Sequence, residues 1–190
     1  MAITLIIGGT RSGKSSYAEK LAAKLSENVA YLATAQALDE EMKERIKLHK
    51  LTRPANWKTY EVPININEVV QSVLDKHKVF LLDCLTFLIS NILLKDLNID
   101  NIETSIQYCK EKVVLEELKQ LVTQIKKSSC HLIIVSNELG LGIVPANTLS
   151  RIYRDLVGRA NQFLALEADQ VILTWAGIPI QIKPTLERLE

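Results

Sequence analysis

The stretch Ala2-Ile3-Thr4-Leu5-Ile6-Ile7-Gly8-Gly9-Thr10-Arg11-Ser12-Gly13-Lys14-Ser15 decides the fold. Its first half is an apolar run of strand character that ends in glycines. Its second half, Gly8 to Ser15, matches GxxxxGK[ST] in full, and helical spacing follows from Ser12 to Leu25. A strand, this loop and a helix in that order form a phosphate-binding P-loop. The glycines let backbone N–H groups approach phosphate, and the helix presents its positive N-terminal end. Lys14 can reach the β- and γ-phosphates, and Ser15 can hold Mg²⁺. The loop therefore predicts a bound nucleoside triphosphate, with Gly8, Gly9, Thr10, Arg11, Ser12, Gly13, Lys14 and Ser15 around its phosphates.

Outward from the loop, short apolar runs alternate with helical patterns. Strands are expected at Val29 to Ala33, Lys58 to Val62, Val79 to Leu82, His131 to Ser136, Gln170 to Thr174 and Ile178 to Ile182. Helices are expected at Asp39 to Leu51, Ile66 to Asp75, after Leu82 through Leu94, Ile102 to Lys126 and Asn147 to Glu167, with a polar break over Lys95 to Asn101. This alternation predicts an α/β fold with a mainly parallel sheet. The apolar runs lack strict alternation, which suits strands covered on both faces. The last two strands flank Gly177 closely enough to form a hairpin, so one edge strand is antiparallel. The expectation is one catalytic domain over residues 1–190, of three-layer P-loop NTPase (RecA-like) form.

Asp83 stands at the end of Val79-Phe80-Leu81-Leu82, where a carboxylate can hold the metal directly or through water. No NKxD guanine motif is present. The loop alone leaves a small-molecule kinase, another phosphotransferase or a nucleotide sensor without turnover.

Bulk properties narrow the field. The chain has 190 residues and a formal net charge of +1, so no global field draws nucleic acid or an anionic membrane. Ile3 to Ile7 is too short for a signal-peptide core, and no run reaches the length of a membrane span. A cytoplasmic location is expected. Cys84, Cys109 and Cys130 form no CxxC pair and read as buried reduced thiols.

The second helix carries the less common chemistry. Asp39, Glu40 and Glu41 suit its positive end, and Asp39 can cap it. Met42, Ile46 and His49 share one face at i, i+4 and i+7. Arg45, Lys50 and Arg53 surround His49 in sequence. Cations there favour the neutral, nucleophilic imidazole and gather phosphate. Arg53-Pro54 ends the helix. His77 and His131 sit beside strand starts and are assigned no chemistry.

The ordered set of motifs is more specific than any one of them. It comprises Gly8 to Ser15, Tyr31-Leu32-Ala33-Thr34-Ala35-Gln36, Asp39-Glu40-Glu41-Met42 with Arg45-Ile46 and His49-Lys50, Arg53-Pro54 with Trp57, Asp83-Cys84-Leu85-Thr86, and Ser136 to Pro145. With these, the sequence resembles the bifunctional adenosylcobinamide kinase/adenosylcobinamide-phosphate guanylyltransferase family of cobalamin synthesis over nearly its whole length.

The resemblance implies two reactions: γ-phosphoryl transfer from ATP or GTP to the hydroxyl of adenosylcobinamide, then transfer of GMP from GTP onto the new phosphate. It implies His49 as the residue that takes GMP first, with Lys14 serving both steps. It further implies nucleotide contacts at Thr34, Ala35 and Gln36, at Lys50, Leu51, Thr52 and Arg53, and at Glu61 and Asp83. Either acid could meet guanine or metal, since a carboxylate can accept both N1–H and N2–H of guanine. Mg²⁺ with GTP or ATP, and a homo-oligomer, a trimer, are implied as well. Arg151, Arg154 and Arg159 are expected to meet substrate phosphate, a neighbouring subunit or solvent.

Overall fold

The computed structural model describes residues 2–97 and 104–184, and within them the side chains of Arg45, Thr52, Thr104 and Ser105 are left undescribed. In chain order the elements are β1 (Ala2–Gly8), α1 (Lys14–Leu25), β2 (Val29–Ala33), α2 (Glu40–Thr52), β3 (Lys58–Glu61), α3 (Ile66–Val73) with a 3-10 turn at Leu74–Lys76, β4 (Val79–Asp83), α4 (Leu85–Leu94), α5 (Thr104–Lys126), β5 (His131–Asn137), α6 (Thr148–Glu167), β6 (Gln170–Trp175) and β7 (Ile178–Lys183). The expected break over 95–101, and the expected start of α5 at Ile102, fall partly outside the described residues.

The strands form one seven-stranded sheet in the order β3-β2-β4-β5-β1-β6-β7. All pairings are parallel except the β6–β7 hairpin at the edge. This is the α/β sheet with one antiparallel edge strand that the sequence predicts. The crossing from β1 to β2 passes over β5 and β4, so the ends of β1, β4 and β5 meet at the sheet's carboxyl edge. Ligands bind at such an edge in open α/β sheets.

Period-two alternation sorts the core into two layers. Ile3, Leu5, Ala30, Leu32, Phe80 and Leu82 pack with residues of α3 to α6. Ile6, Val29, Tyr31, Val79, Leu81 and Ile133 face the other way, under Ala18 and Ala22 of α1. Small residues at those two helix positions let α1 lie close to the strands. Each fully buried Leu or Phe on these faces contributes about 1.5–3 kcal/mol of transfer free energy.

Helix α2 differs from the others. None of its described side chains is buried, and Leu48 and Leu51 are exposed. Its ends hold it instead: Asp39 Oδ1 accepts from the Met42 N–H at 2.7 Å, the cap expected from sequence.

One cysteine expectation fails. Cys84 and Cys130 are buried free thiols, but Cys109 is exposed. It sits on the outer side of α5 beside exposed Tyr108. No helix among the described residues is long and apolar enough to cross a membrane.

Candidate functional site

Strand β1 delivers the P-loop to the sheet's carboxyl edge. Gly8 cannot carry a side chain there: a Cβ would lie 2.4 Å from the Thr174 carbonyl oxygen. Gly13 ends the loop with φ of +94°, a left-handed conformation that suits glycine, and packs on Gly177 of the β6–β7 turn. That φ also explains why α1 starts at Lys14 and not at Ser12. The loop is tied from the side by Gly177 N–H to Ser12 O at 3.0 Å and by Ser12 Oγ with Thr174 Oγ1 at 2.8 Å. Lys14 is buried, and its ammonium donates to Gly9 O at 2.6 Å, holding the cation against the loop.

Asp83 ends β4 as expected and joins two sequence-distant groups. Its Oδ1 accepts from Ser15 Oγ at 3.4 Å and its Oδ2 accepts from the Tyr31 hydroxyl at 2.6 Å. Above Tyr31, the Arg53 guanidinium lies 3.4 Å from the ring centroid. Arg53 follows α2 as its C-cap, and His49 and Lys50 occupy the last turn. One continuous path of contacts thus runs from the P-loop through Ser15, Asp83, Tyr31 and Arg53 to the end of α2 that bears His49.

Electrostatics mark the same place. Burial, followed by the Asp83 carboxylate, pushes the Tyr31 phenol far up, so it stays a protonated donor. Glu19, on α1, is raised by burial and by Asp83 and lowered by Arg53. Its Oε1 and the Arg53 Nε are both buried without a hydrogen-bond partner among the described residues. Tyr31 and Glu19 were not singled out for this site by sequence. Tyr31 hides in a buried strand, but Glu19 stands at i+4 from Ser15 on α1, so helical spacing puts it on the same face as Ser15.

The cations gathered around His49 have partners of their own. Lys50 donates to Glu61 Oε1 at 2.6 Å, and this pair holds the Glu61 carboxyl below its usual range. Arg53 Nη1 donates to Thr59 Oγ1 at 3.3 Å. The side chain of Arg45 lies outside the described ones. His49 is half-buried, as are Met42 and Ile46 on the same face. Lys50, Arg53, Thr59 and Glu61 line, with Trp57, a cleft of about 450 Å³ at the C-terminal end of α2. Leu51 points to solvent, 73% exposed, and the Thr52 side chain lies outside the described ones.

The Thr34-Ala35-Gln36 turn follows β2, next to the end of β4. The Thr34 hydroxyl is committed to the fold: it donates to Cys84 O at 2.7 Å and accepts from Cys84 N–H at 2.9 Å. Its carbonyl accepts from Asn91 Nδ2 at 2.9 Å. On the other side, Glu138 N–H donates to Gly8 O at 3.0 Å, so the loop after β5 abuts the P-loop. Arg151 clasps the turn before α6 through Pro145 O and Ala146 O, and Arg159 pairs with Glu111 at 3.3 Å. Arg154 lies 3.5 Å from its neighbour Asp155.

Residues 4–182 match the model of the family described as cobinamide kinase / cobinamide phosphate guanyltransferase. The chain belongs to that family. It is an enzyme family with a kinase and a guanylyltransferase activity in its description, as the motifs imply. Similar proteins include the bifunctional adenosylcobalamin biosynthesis protein CobU of Escherichia coli (strain K12), 38% identical over 94% of this chain and 98% of the relative. The protein of that name from Salmonella typhimurium is 39% identical over the same shares. The bifunctional adenosylcobalamin biosynthesis protein CobP of Pseudomonas aeruginosa is 41% identical over 94% of this chain and 96% of its own length.

Proposed function

We propose that this chain acts in cobalamin biosynthesis as one catalytic domain over residues 1–190 that phosphorylates adenosylcobinamide and then guanylylates the product. In the first step the substrate hydroxyl oxygen attacks the γ-phosphorus of ATP or GTP, and the nucleoside diphosphate leaves. In the second, an imidazole nitrogen of His49 attacks the α-phosphorus of GTP, forming an N–P bond while pyrophosphate leaves. The phosphate of adenosylcobinamide phosphate then attacks that phosphorus, breaks the N–P bond and yields adenosyl-GDP-cobinamide. Covalent catalysis divides a difficult transfer into two easier ones.

The observation that carries this reading is the contact path from the P-loop to the His49-bearing end of α2. Ser15 Oγ, Asp83 and Tyr31 connect a phosphate loop to Arg53, four residues past His49. A triphosphate cradled at Gly8 to Ser15, with Lys14 neutralising developing charge, would extend toward that helix end. The cleft lined by Lys50, Arg53 and Glu61 suits the guanine base. Glu61 would then accept from the base edge in place of Lys50, and Asp83, beside Ser15, would serve the metal. Thr34, Ala35 and Gln36 would contact the nucleotide through their backbone or through Gln36, since the Thr34 hydroxyl is already used.

Mg²⁺ fits the residues present. Ser15 and Asp83 offer the oxygen ligands that a hard cation prefers, and no cluster of three acids, histidines or cysteines occurs among the described residues. Such a site leaves the ion mostly to phosphates and water, where it would offset phosphate charge. Association into a homo-oligomer, a trimer on the family resemblance, belongs to the same proposal. The outward display of Trp175, Ile178 and Ile180 on the edge hairpin supports it.

The test is product formation. Purified protein with adenosylcobinamide, ATP, GTP and Mg²⁺ should give the phosphate first and the GDP derivative second. Phosphate that accumulates without the GDP derivative would leave a single-function kinase. Nucleotide binding with no product would leave a regulator.

A further inference from the structure

A second cavity, also about 450 Å³, lies at the opposite end of α2 from the Lys50–Glu61 cleft. Its wall is apolar: Leu38, Met42, Ile64, Phe87 and Leu94. Leu38 and Leu94 stand at its mouth, 79% and 43% exposed. Apolar surface around a concave site marks a ligand position. The rim is polar, with Gln36, Ser90 and Lys95. Asn91 makes the cavity a built feature, because its Nδ2 donates to both Thr34 O and Pro63 O at 2.9 Å and so ties together the two loops that frame it.

Position assigns the occupant. The Thr34–Gln36 turn is shared between this cavity and the carboxyl edge of β2, which pairs Ala33 with Asp83. The α2 face that enters the cavity at Met42 continues through Ile46 to His49, about 10 Å along the helix axis at 1.5 Å per residue. Through Gln36 the cavity adjoins the loop that follows β2, and through Met42 it shares a helix face with His49. In the functional reading above the nucleotide base takes the cleft at the other end of α2. We propose, resting on the functional reading above, that this cavity seats the acceptor: the apolar edge of the corrin macrocycle packs on Leu38, Met42, Phe87 and Leu94. Its fringe of carboxamides meets Gln36, Ser90 and Lys95, and its hydroxyl-bearing arm reaches first the P-loop and then His49.

Leu38→Glu and Leu94→Glu place a charge at the cavity mouth on positions exposed enough to leave the fold intact. Leu38→Met keeps the apolar wall. Two readouts are taken: KM for adenosylcobinamide in the ATP-driven kinase step, and self-labelling by α-labelled GTP with no acceptor present. The glutamate variants should raise acceptor KM by about tenfold or more, the penalty of an unpaired charge against an apolar ligand. Self-labelling should stay at the wild-type rate, and Leu38→Met should keep the wild-type KM. Unchanged acceptor KM in both glutamate variants would overturn the assignment. So would self-labelling that falls in step with the rise in KM, which would give the cavity to the nucleotide. A wild-type protein that neither phosphorylates the acceptor nor labels itself would instead overturn the functional reading beneath it.

Discussion

Removing one atom from the contact path tests its energetic weight. Tyr31→Phe deletes the hydroxyl that donates to Asp83 Oδ2 at 2.6 Å and leaves the ring beneath Arg53. Hydrogen bonds to charged groups contribute about 1.5–3 kcal/mol. Tyr31 is 1% exposed, so water cannot readily replace the lost donor. A chain of this size loses about 2–4 °C of Tm per kcal/mol, which predicts a fall of about 3–12 °C. The cation–π contact is kept, and Tyr31→Leu should therefore cost about 0.5–2 kcal/mol more from that contact alone, besides the loss of packing. Asp83 would also lose the group that orients it, so GTP labelling should slow about tenfold, equivalent to about 1.4 kcal/mol. Urea denaturation, thermal melting and a double-mutant cycle with Asp83→Asn measure these terms, and the cycle should return a coupling of at least about 1 kcal/mol. A Tyr31→Phe protein that melts with wild type, labels at the wild-type rate and shows no coupling would refute the path from Ser15 to Arg53.

Other outcomes follow from the same geometry. Lys14→Ala removes the cation held on Gly9 O, and both kinase and labelling rates should fall by about a hundredfold or more; an unaffected variant would show that the loop does not serve both steps. Glu61→Gln breaks only an exposed ion pair, so stability should change by less than about 1 kcal/mol while KM for GTP rises and the ATP-driven kinase step is preserved. Equal effects on ATP and GTP would remove Glu61 from guanine recognition. His77 donates through Nδ1 to Asn28 Oδ1 at 2.5 Å and accepts from the Tyr60 hydroxyl at 2.9 Å, a neutral tautomer. Burial, then Lys58 and Lys76, lower its pKa below 6.5. Below pH 6.5 the unfolded chain therefore binds more protons than the folded one, so stability is full above that pH and declines as pH falls toward the lower folded value. His77→Gln should flatten that decline in urea titrations between pH 7 and 5, leaving the contribution of His131, whose pKa burial also lowers.

Much of this architecture could be read along the chain, because its signals are local. The P-loop is a contiguous pattern, the Asp39 cap is an N-terminal signature, and the turn at Gly177 announces the hairpin. What stayed hidden depends on long-range pairing. Tyr31 reads as one more buried strand residue until β2 is laid beside β4, which puts its hydroxyl on an acid 52 positions away. That the Thr34 hydroxyl bonds to the Cys84 backbone is likewise invisible until the two strands are paired. The cations near His49 look like a phosphate cluster in sequence, yet Lys50 and Arg53 turn to β2 and β3 partners. Cys109 reads as buried because a lone cysteine without a CxxC partner is usually a core thiol, and only the packing of α5 shows that its face turns outward.

The most direct measurement of the central claim is a label and chase. Protein is incubated with α-labelled GTP and Mg²⁺, freed of nucleotide, and then given adenosylcobinamide phosphate. The account predicts an acid-labile label on the peptide that contains His49, its absence in His49→Ala, and its passage into the corrinoid during the chase. Labelling at any other residue, or a label on His49 that adenosylcobinamide phosphate does not remove, would contradict it.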